Sequence, residues 1–214
     1  MSWINRENAS LSLLSTPLDE ASDAPAAFGD AVFGDDAIAR ISAAPARGML
    51  IVRGDLQSKA MANAVRAAIN GDPPAIRRCE TNGETGVYWM SPDALLLCMP
   101  YTALAEAYHA VISALKGSHH LVTDSSDARQ IFIVSGANAR TVLAKGAPVD
   151  FHPDAFGAGD LRRTRIGELA AMIAQVGERP DQFEVFVLRS YAAHMWRWLT
   201  VAAAPGGEVG YFHR

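Results

Sequence analysis

Gln130-Ile131-Phe132-Ile133-Val134-Ser135-Gly136 decides the fold, because it restates what Met49-Leu50-Ile51-Val52-Arg53-Gly54 has already done earlier in the chain. Each is a short apolar run stopped by a polar residue and a glycine, the pattern of a buried strand entering a tight turn. Each is followed by apolar residues at helical spacing. After the first come Leu56, Ala60, Met61, Ala64, Val65 and Ala68, and after the second Ala139, Val142 and Leu143. Gly54 and Gly136 stand at the two strand–helix junctions, where a residue without Cβ lets the backbone turn sharply. Neither belongs to a GxGxxG, so a dinucleotide site is unsupported.

The parallel continues outward. In the first half Val87-Tyr88-Trp89-Met90 reads as a strand, Ser91-Pro92-Asp93 as a turn, Ala94 to Met99 as a second strand and residues 103–116 as a helix. In the second half Leu169 to Val176, a turn from Gly177 to Asp181, Phe183 to Val187 and a helix near 190–203 take the same order. The chain therefore reads as a duplicated strand-helix-strand-strand-helix unit, with copies at about 47–117 and 118–204 in one domain spanning 47–204. Helices mixed with hairpins predict an α+β fold rather than a doubly wound parallel sheet. A further strand near His120 to Asp124 is expected to feed the second copy. Residues 205–214 are a short tail.

Residues 1–46 differ in character. They are rich in Ala, Ser, Asp and Pro, and every charge from Asp19 to Asp36 is acidic. This is read as an acidic arm, either without fixed structure alone or ordered against a partner through Phe28, Val32 and Phe33. The whole chain has 214 residues, half of them hydrophobic, with a formal charge of −4. That balance supports a real core and argues against a nucleic-acid binder, since phosphate affinity comes from clustered Lys and Arg. The cluster Arg162, Arg163, Arg165 is too short to overturn it. No apolar run of about eighteen residues occurs and the start lacks a signal-peptide order, so a cytoplasmic location without membrane contact is expected.

Candidate chemical residues each have a structural alternative. Asp124, Asp127 and Arg129 offer a carboxylate pair with an orienting cation, or a Ser/Asp loop that caps its own backbone and pairs one Asp with Arg129; the second reading is preferred. His119 and His120 are strand neighbours that point to opposite faces, so they do not chelate a metal together. His152 lies in a Pro-bounded loop with no Ser or Cys nucleophile near it in sequence. Lys145-Gly146 reads as a helix end, with a cation in the last turn and a glycine suited to positive φ beyond it. Cys98 reads as a buried strand residue, and Cys79 has no second pair with which to form a zinc set.

On the last helix Met195, Trp198, Leu199 and Ala202 share the predicted core stripe, with Trp196 on its flank, either finishing the core or anchoring a second protein. On the helix at 103–116, Leu104, Ala107, Tyr108, Val111, Ile112 and Leu115 form the packing stripe.

Four phrases in order resemble the gamma subunit family of heterotetrameric sarcosine oxidase. They are Val87-Tyr88-Trp89-Met90-Ser91-Pro92-Asp93-Ala94-Leu95-Leu96-Leu97; Asp124-Ser125-Ser126-Asp127-Ala128-Arg129; Ala144-Lys145-Gly146-Ala147-Pro148-Val149-Asp150-Phe151-His152-Pro153; and Leu188-Arg189-Ser190-Tyr191-Ala192. The resemblance implies a fold similar to the folate-binding domain of the glycine-cleavage aminomethyltransferase. It implies a structural subunit beside alpha, beta and delta chains, in a complex that demethylates sarcosine to glycine and passes the one-carbon unit to tetrahydrofolate. FAD, FMN and NAD would sit in other subunits, and this chain would contribute no catalytic, cofactor-binding or metal residues. Related folate-dependent iron–sulfur maintenance proteins carry Lys-Gly-Cys-Tyr-x-Gly-Gln-Glu, which Lys145-Gly146-Ala147-Pro148 does not continue. Many gamma chains have Cys where this one has Ala147, so a thiol role there is excluded. A stand-alone folate-dependent one-carbon protein, with Asp124 or Asp127 nearest the chemistry, is the alternative.

Overall fold

The computed structural model describes residues 32–35 and 39–206. Phe28, most of the acidic arm and the tail from 207 onward lie outside the described residues. In chain order the elements are β1 (Val32–Phe33), β2 (Arg40–Ala43), β3 (Arg47–Arg53), α1 (Lys59–Ile69), β4 (Cys79–Asn82), β5 (Thr85–Ser91), β6 (Ala94–Pro100), α2 (Leu104–Ala114), β7 (Leu121–Asp124), β8 (Arg129–Ser135), α3 (Ala139–Ala144), β9 (Leu161–Ile166), β10 (Leu169–Glu178), β11 (Asp181–Leu188) and α4 (Ala192–Ala203).

They build two antiparallel sheets, one ordered β4-β5-β6-β3-β7 and the other β1-β2-β8-β11-β10-β9. The sheets pack face to face, with α1 and α2 on the outside of the first and α3 and α4 on the outside of the second. Alternation along each strand assigns side chains to layers. In β6, Leu95, Leu97 and Met99 face the helices, while Ala94, Leu96 and Cys98 face the other sheet. In β11, Phe183, Val185 and Val187 face the helices and Phe186 faces inward. Strands covered on both sides read as continuous apolar runs, which is why these two were legible. Each leucine so buried contributes about 2–3 kcal/mol.

The duplication holds in detail. Gly54 donates its N–H to the Asp93 carbonyl and Gly136 to the Asp181 carbonyl, at 2.9 and 3.1 Å, so each junction leans on the hairpin turn of its own repeat. Both glycines have positive φ, 156° and 106°. Helix α1 begins at Ser58, whose hydroxyl accepts from Met61 N, and ends at Asn70 in the left-handed region, before the breaker run Gly71-Asp72-Pro73-Pro74.

Four strands, β1, β2, β4 and β9, go beyond the sequence reading. β4 and β9 add an edge to each repeat. Their polar sequences, Cys-Glu-Thr-Asn and Leu-Arg-Arg-Thr-Arg-Ile, carry the charges that edge strands use to discourage further pairing. β2 lies inside the stretch read as an arm, yet Ile41 and Ala43 are buried in the second sheet's outer core, and Phe33 packs against the same cluster. Four residues, Arg-Ile-Ser-Ala, are too few to show a period.

The strand at Leu121–Asp124 is also placed differently from expectation. It precedes the second copy in sequence but pairs with β3 of the first, Leu50 opposite Asp124 and Arg53 opposite Leu121. β2 does the reverse, preceding the first copy and pairing with β8 of the second. Each repeat therefore borrows its outer strand from in front of the other. Residues 118–206 expressed alone lack both β2 and the facing sheet, and are expected to show no cooperative thermal unfolding by circular dichroism; a sharp melt would contradict this interlocking.

The two edges β4 and β9 are joined by a clip. Cys79 N–H donates to the Gly159 carbonyl and Leu161 N–H to the Arg77 carbonyl, while Asp160 pairs with Arg78 at 2.9 Å and accepts from Gly157 N–H. Burial raises the Asp160 pKa, but the Gly157 N–H and Arg78 outweigh it and hold it below its ordinary value. A folded pKa below the unfolded one means the clip's contribution is complete above the unfolded carboxylate range and is lost as pH falls through the depressed value. Asp160→Asn should flatten that part of the acid limb in a plot of Tm against pH.

Candidate functional site

The polar residues of the interior meet between the sheets. Glu184 sits in the apolar run Phe183-Glu184-Val185-Phe186-Val187, and strand alternation turns it inward, away from the helices. There its carboxylate meets Arg47 Nη1 at 2.7 Å, with the two side chains only 3% and 4% exposed. The Tyr88 hydroxyl donates to the other carboxylate oxygen, and the Tyr88 ring stacks edge-on against Phe186. β3, β5 and β11 thus each supply one member, which ties the two sheets together through a single charged group.

The electrostatics follow from burial around that charge. Tyr88 is pushed well above its ordinary value, first by desolvation and then by Glu184. The Cys79 thiol is pushed up to about 12 and the Cys98 thiol also upward, again by burial first and Glu184 second. Burial opposes the charge on Arg47, but Glu184 more than restores it. At neutral pH the cluster is a fixed ion pair with a protonated phenol and two inert thiols, suited to holding sheets in register rather than to moving protons.

A second cluster was not singled out in the sequence. Arg140 on α3 donates to both oxygens of Asp181 at 2.6 and 2.9 Å, to the carbonyls of Phe151 and Phe156 at 2.7 Å each, and to Gln175 Oε1 at 3.1 Å. It gathers α3, the 147–160 loop and the β10–β11 hairpin around one guanidinium. The isolated Arg between apolar Ala139 and Val142 is the only signal the sequence carried.

The residues that were singled out are placed as follows. Asp124 Oδ1 accepts from the N–H and hydroxyl of Ser126, whose oxygen accepts from Met49 N at 2.9 Å. That is the self-capping loop expected. The ion pair is different: Asp127 meets Arg189 at 3.6 Å, and Arg129 turns instead into the space between the sheets, toward Cys98 and Arg163. His120 hydrogen-bonds the Ser118 carbonyl at 2.8 Å, at the rim of an open cleft of about 600 Å³ that also holds Arg53, Asp55, Ser58 and Asp93. The Arg53–Asp93 ion pair crosses that cleft at 3.2 Å. His152 is exposed, its Nδ1 accepting from Asp154 N. Among the described residues no three His, Cys, Asp or Glu stand close enough to hold a metal ion, and no helix is long and apolar enough to cross a membrane.

Lys145-Gly146 does end α3, with Lys145 as its C-cap residue, but the Lys145 side chain does not cap its own helix. Lys145 reaches across to the Ala202 carbonyl at 2.5 Å, fastening α4 to α3. Gly146 does not have positive φ; it is glycine because a Cβ there would collide with the Trp198 ring. On α4 the deeper tryptophan is Trp196, 8% exposed and 6.0 Å from the Phe132 ring centroid, while Trp198 is half-buried. On α2, Ile112 is exposed rather than packed. Trp196→Ala is expected to cost about 3–5 kcal/mol, seen as a lowered Tm in the isolated chain.

Two helix-backed antiparallel sheets, packed face to face and built from one repeated unit, are an architecture shared with an aminomethyltransferase. The glycine cleavage system aminomethyltransferase T from Bartonella henselae overlays with a TM-score of 0.57 at 14% identity, over 76% of this chain and 45% of that one. A chain of the heterotetrameric sarcosine oxidase from Corynebacterium sp. U-96 overlays with a TM-score of 0.76 at 22% identity, over 91% of this chain and 97% of that one. Residues 53–205 match the sarcosine oxidase, gamma subunit family, and the chain belongs to that family. Similar proteins include sarcosine oxidase subunit gamma of Corynebacterium sp. (strain P-1), 30% identical over 54% of this chain and 55% of the relative. The gamma subunit of Arthrobacter sp. is 31% identical over 54% of this chain and 55% of its own length. The chain spans about half the length of the curated relatives it matches.

Proposed function

We propose that this chain is the non-catalytic gamma subunit of a heterotetrameric sarcosine oxidase, beside alpha, beta and delta chains. In this reading the complex oxidatively demethylates sarcosine to glycine and hands the one-carbon unit to tetrahydrofolate. FAD, FMN and NAD belong to the other subunits, and the assembly is cytoplasmic. The observation that carries the proposal is membership of the gamma subunit family together with an overlay that takes in nearly the whole of a heterotetrameric sarcosine oxidase chain. The use made of its polar residues supports a scaffold: Asp124 caps a loop, Asp127 pairs with Arg189, Lys145 fastens two helices and Glu184 is consumed by Arg47 and Tyr88.

The test is co-expression of the tagged chain with the candidate alpha, beta and delta chains of its own genome, followed by pull-down and a sarcosine-dependent peroxide assay. Stoichiometric recovery of a flavin-coloured complex, with no sarcosine oxidation by the isolated chain, is the expected result. Failure to associate, with saturable tetrahydrofolate binding by the chain alone, would favour the stand-alone one-carbon protein that the aminomethyltransferase likeness suggests.

A further inference from the structure

The inner face of the second sheet is covered by the first sheet along most of its length, and then is not. Ile131, Phe186 and Met172 lie side by side across β8, β11 and β10, all buried between the sheets, and Arg163 on β9 completes that row. Two residues further toward the end of the sheet, on the same face by strand alternation, come Arg129 opposite Leu188, and Ala170 opposite Arg165. Leu188 is 43% exposed, and Ala170, Arg163 and Arg165 are exposed as well.

This end carries three arginines whose contacts among the described residues include no carboxylate. Arg163 donates to the Met90 carbonyl. Arg129 Nε is buried with no hydrogen-bond partner. Desolvation first, and the nearby Arg163 second, push Arg129 below its ordinary value. A buried guanidinium nitrogen left unpaired is costly, and native proteins rarely leave one so. In a chain of net charge −4 the local reversal of sign is itself a specific feature.

We infer that this end of the sheet, formed by Arg129, Arg163, Arg165, Leu188 and Ala170, is the docking surface for an acidic segment of a partner subunit, which lays its apolar side chains on Leu188 and a carboxylate against Arg129. The inference rests on the subunit reading above and adds a location and a partner chemistry to it. Charge complementarity is the argument: a carboxylate arriving here meets a guanidinium that is already partly desolvated and has one buried N–H unpartnered, where a charge-assisted pair is strengthened.

The variant Arg165→Glu with Leu188→Glu tests it, since both side chains are exposed. Glu at 188 would stand directly opposite Arg129 and satisfy it from within the chain. The Tm of the isolated chain should hold or rise, while its affinity for the co-expressed partner subunits should fall by about 30-fold or more. Arg165→Lys should assemble normally. If the double variant assembles as the natural chain does, the docking surface is wrong and the subunit reading stands. If the natural chain itself fails to recover partners, both are overturned. If the double variant instead lowers the chain's own Tm, and deletion of residues 2–31 lowers it equally, the occupant is this chain's acidic arm and the inference is overturned.

Discussion

Arg47→Met is expected to bring the protein close to unfolding at room temperature. The substitution keeps the volume but leaves the Glu184 carboxylate, 3% exposed, between two sheets with only the Tyr88 hydroxyl for company. Breaking one side of a buried pair costs about 3–5 kcal/mol, against a total stability of about 5–15 kcal/mol for a typical domain. The urea midpoint followed by circular dichroism should fall accordingly. The pair itself is worth less than its breakage, because both ions lose their hydration when buried. Arg47→Met combined with Glu184→Leu should therefore recover most of the lost stability, and Tyr88→Phe in the natural background should cost only about 1–3 kcal/mol. An unchanged midpoint in Arg47→Met would mean that the ion pair does not span the two sheets as described.

Arg140→Ala carries the second large effect. It removes a bidentate pair with Asp181, two carbonyl contacts to the 147–160 loop and one to Gln175, with the Arg140 and Asp181 side chains about one-sixth and one-fifth exposed. The loss should be at least about 3 kcal/mol, since hydrogen bonds to a charged group contribute about 1.5–3 kcal/mol each and are not additive. Arg140→Lys should rescue little, because a compact ammonium cannot serve a carboxylate fork and two carbonyls on separate sides at once. Limited proteolysis gives the distinguishing readout. The segment around Phe151 and Phe156 is held to the hairpin by this guanidinium and by the Phe183 ring, so with the guanidinium gone cleavage should appear there before global unfolding.

What the sequence conveyed and what it withheld separate along physical lines. β3, β6, β8 and β11 announce themselves because both faces are buried, and the glycines at 54 and 136 mark the same turn twice. β9 does not, because three arginines along an edge strand read as a basic cluster. β2 is only four residues long, and its burial depends on a neighbour far along the chain. The partner of the Leu121–Asp124 strand is a property of pairing between distant segments, on which local pattern is silent. Glu184 did leave a trace, a lone acid in an apolar run, but its partner Arg47 stands just ahead of the apolar run of β3 and looks like any solvent-facing cation. Trp196 and Trp198 lie two positions apart on one helix, and the difference in their depth is made by Gly146 admitting the Trp198 ring on the rim, a contact between sequence-distant residues.

The exchange of outer strands between the two halves bears on how the chain is made. β2 leaves the ribosome among the first ordered segments with only the two-residue β1 to pair with, so the other edge of Arg40–Ala43 stays unpaired until Arg129–Ser135 has been synthesised. At a synthesis rate of ~5–20 residues per second that interval is on the order of ten seconds. During it the first sheet can complete only when β7 emerges, immediately before β8. Both sheets therefore close late and nearly together, and a nascent chain stalled before Leu121 would present two unfinished edges to whatever protein is being made beside it.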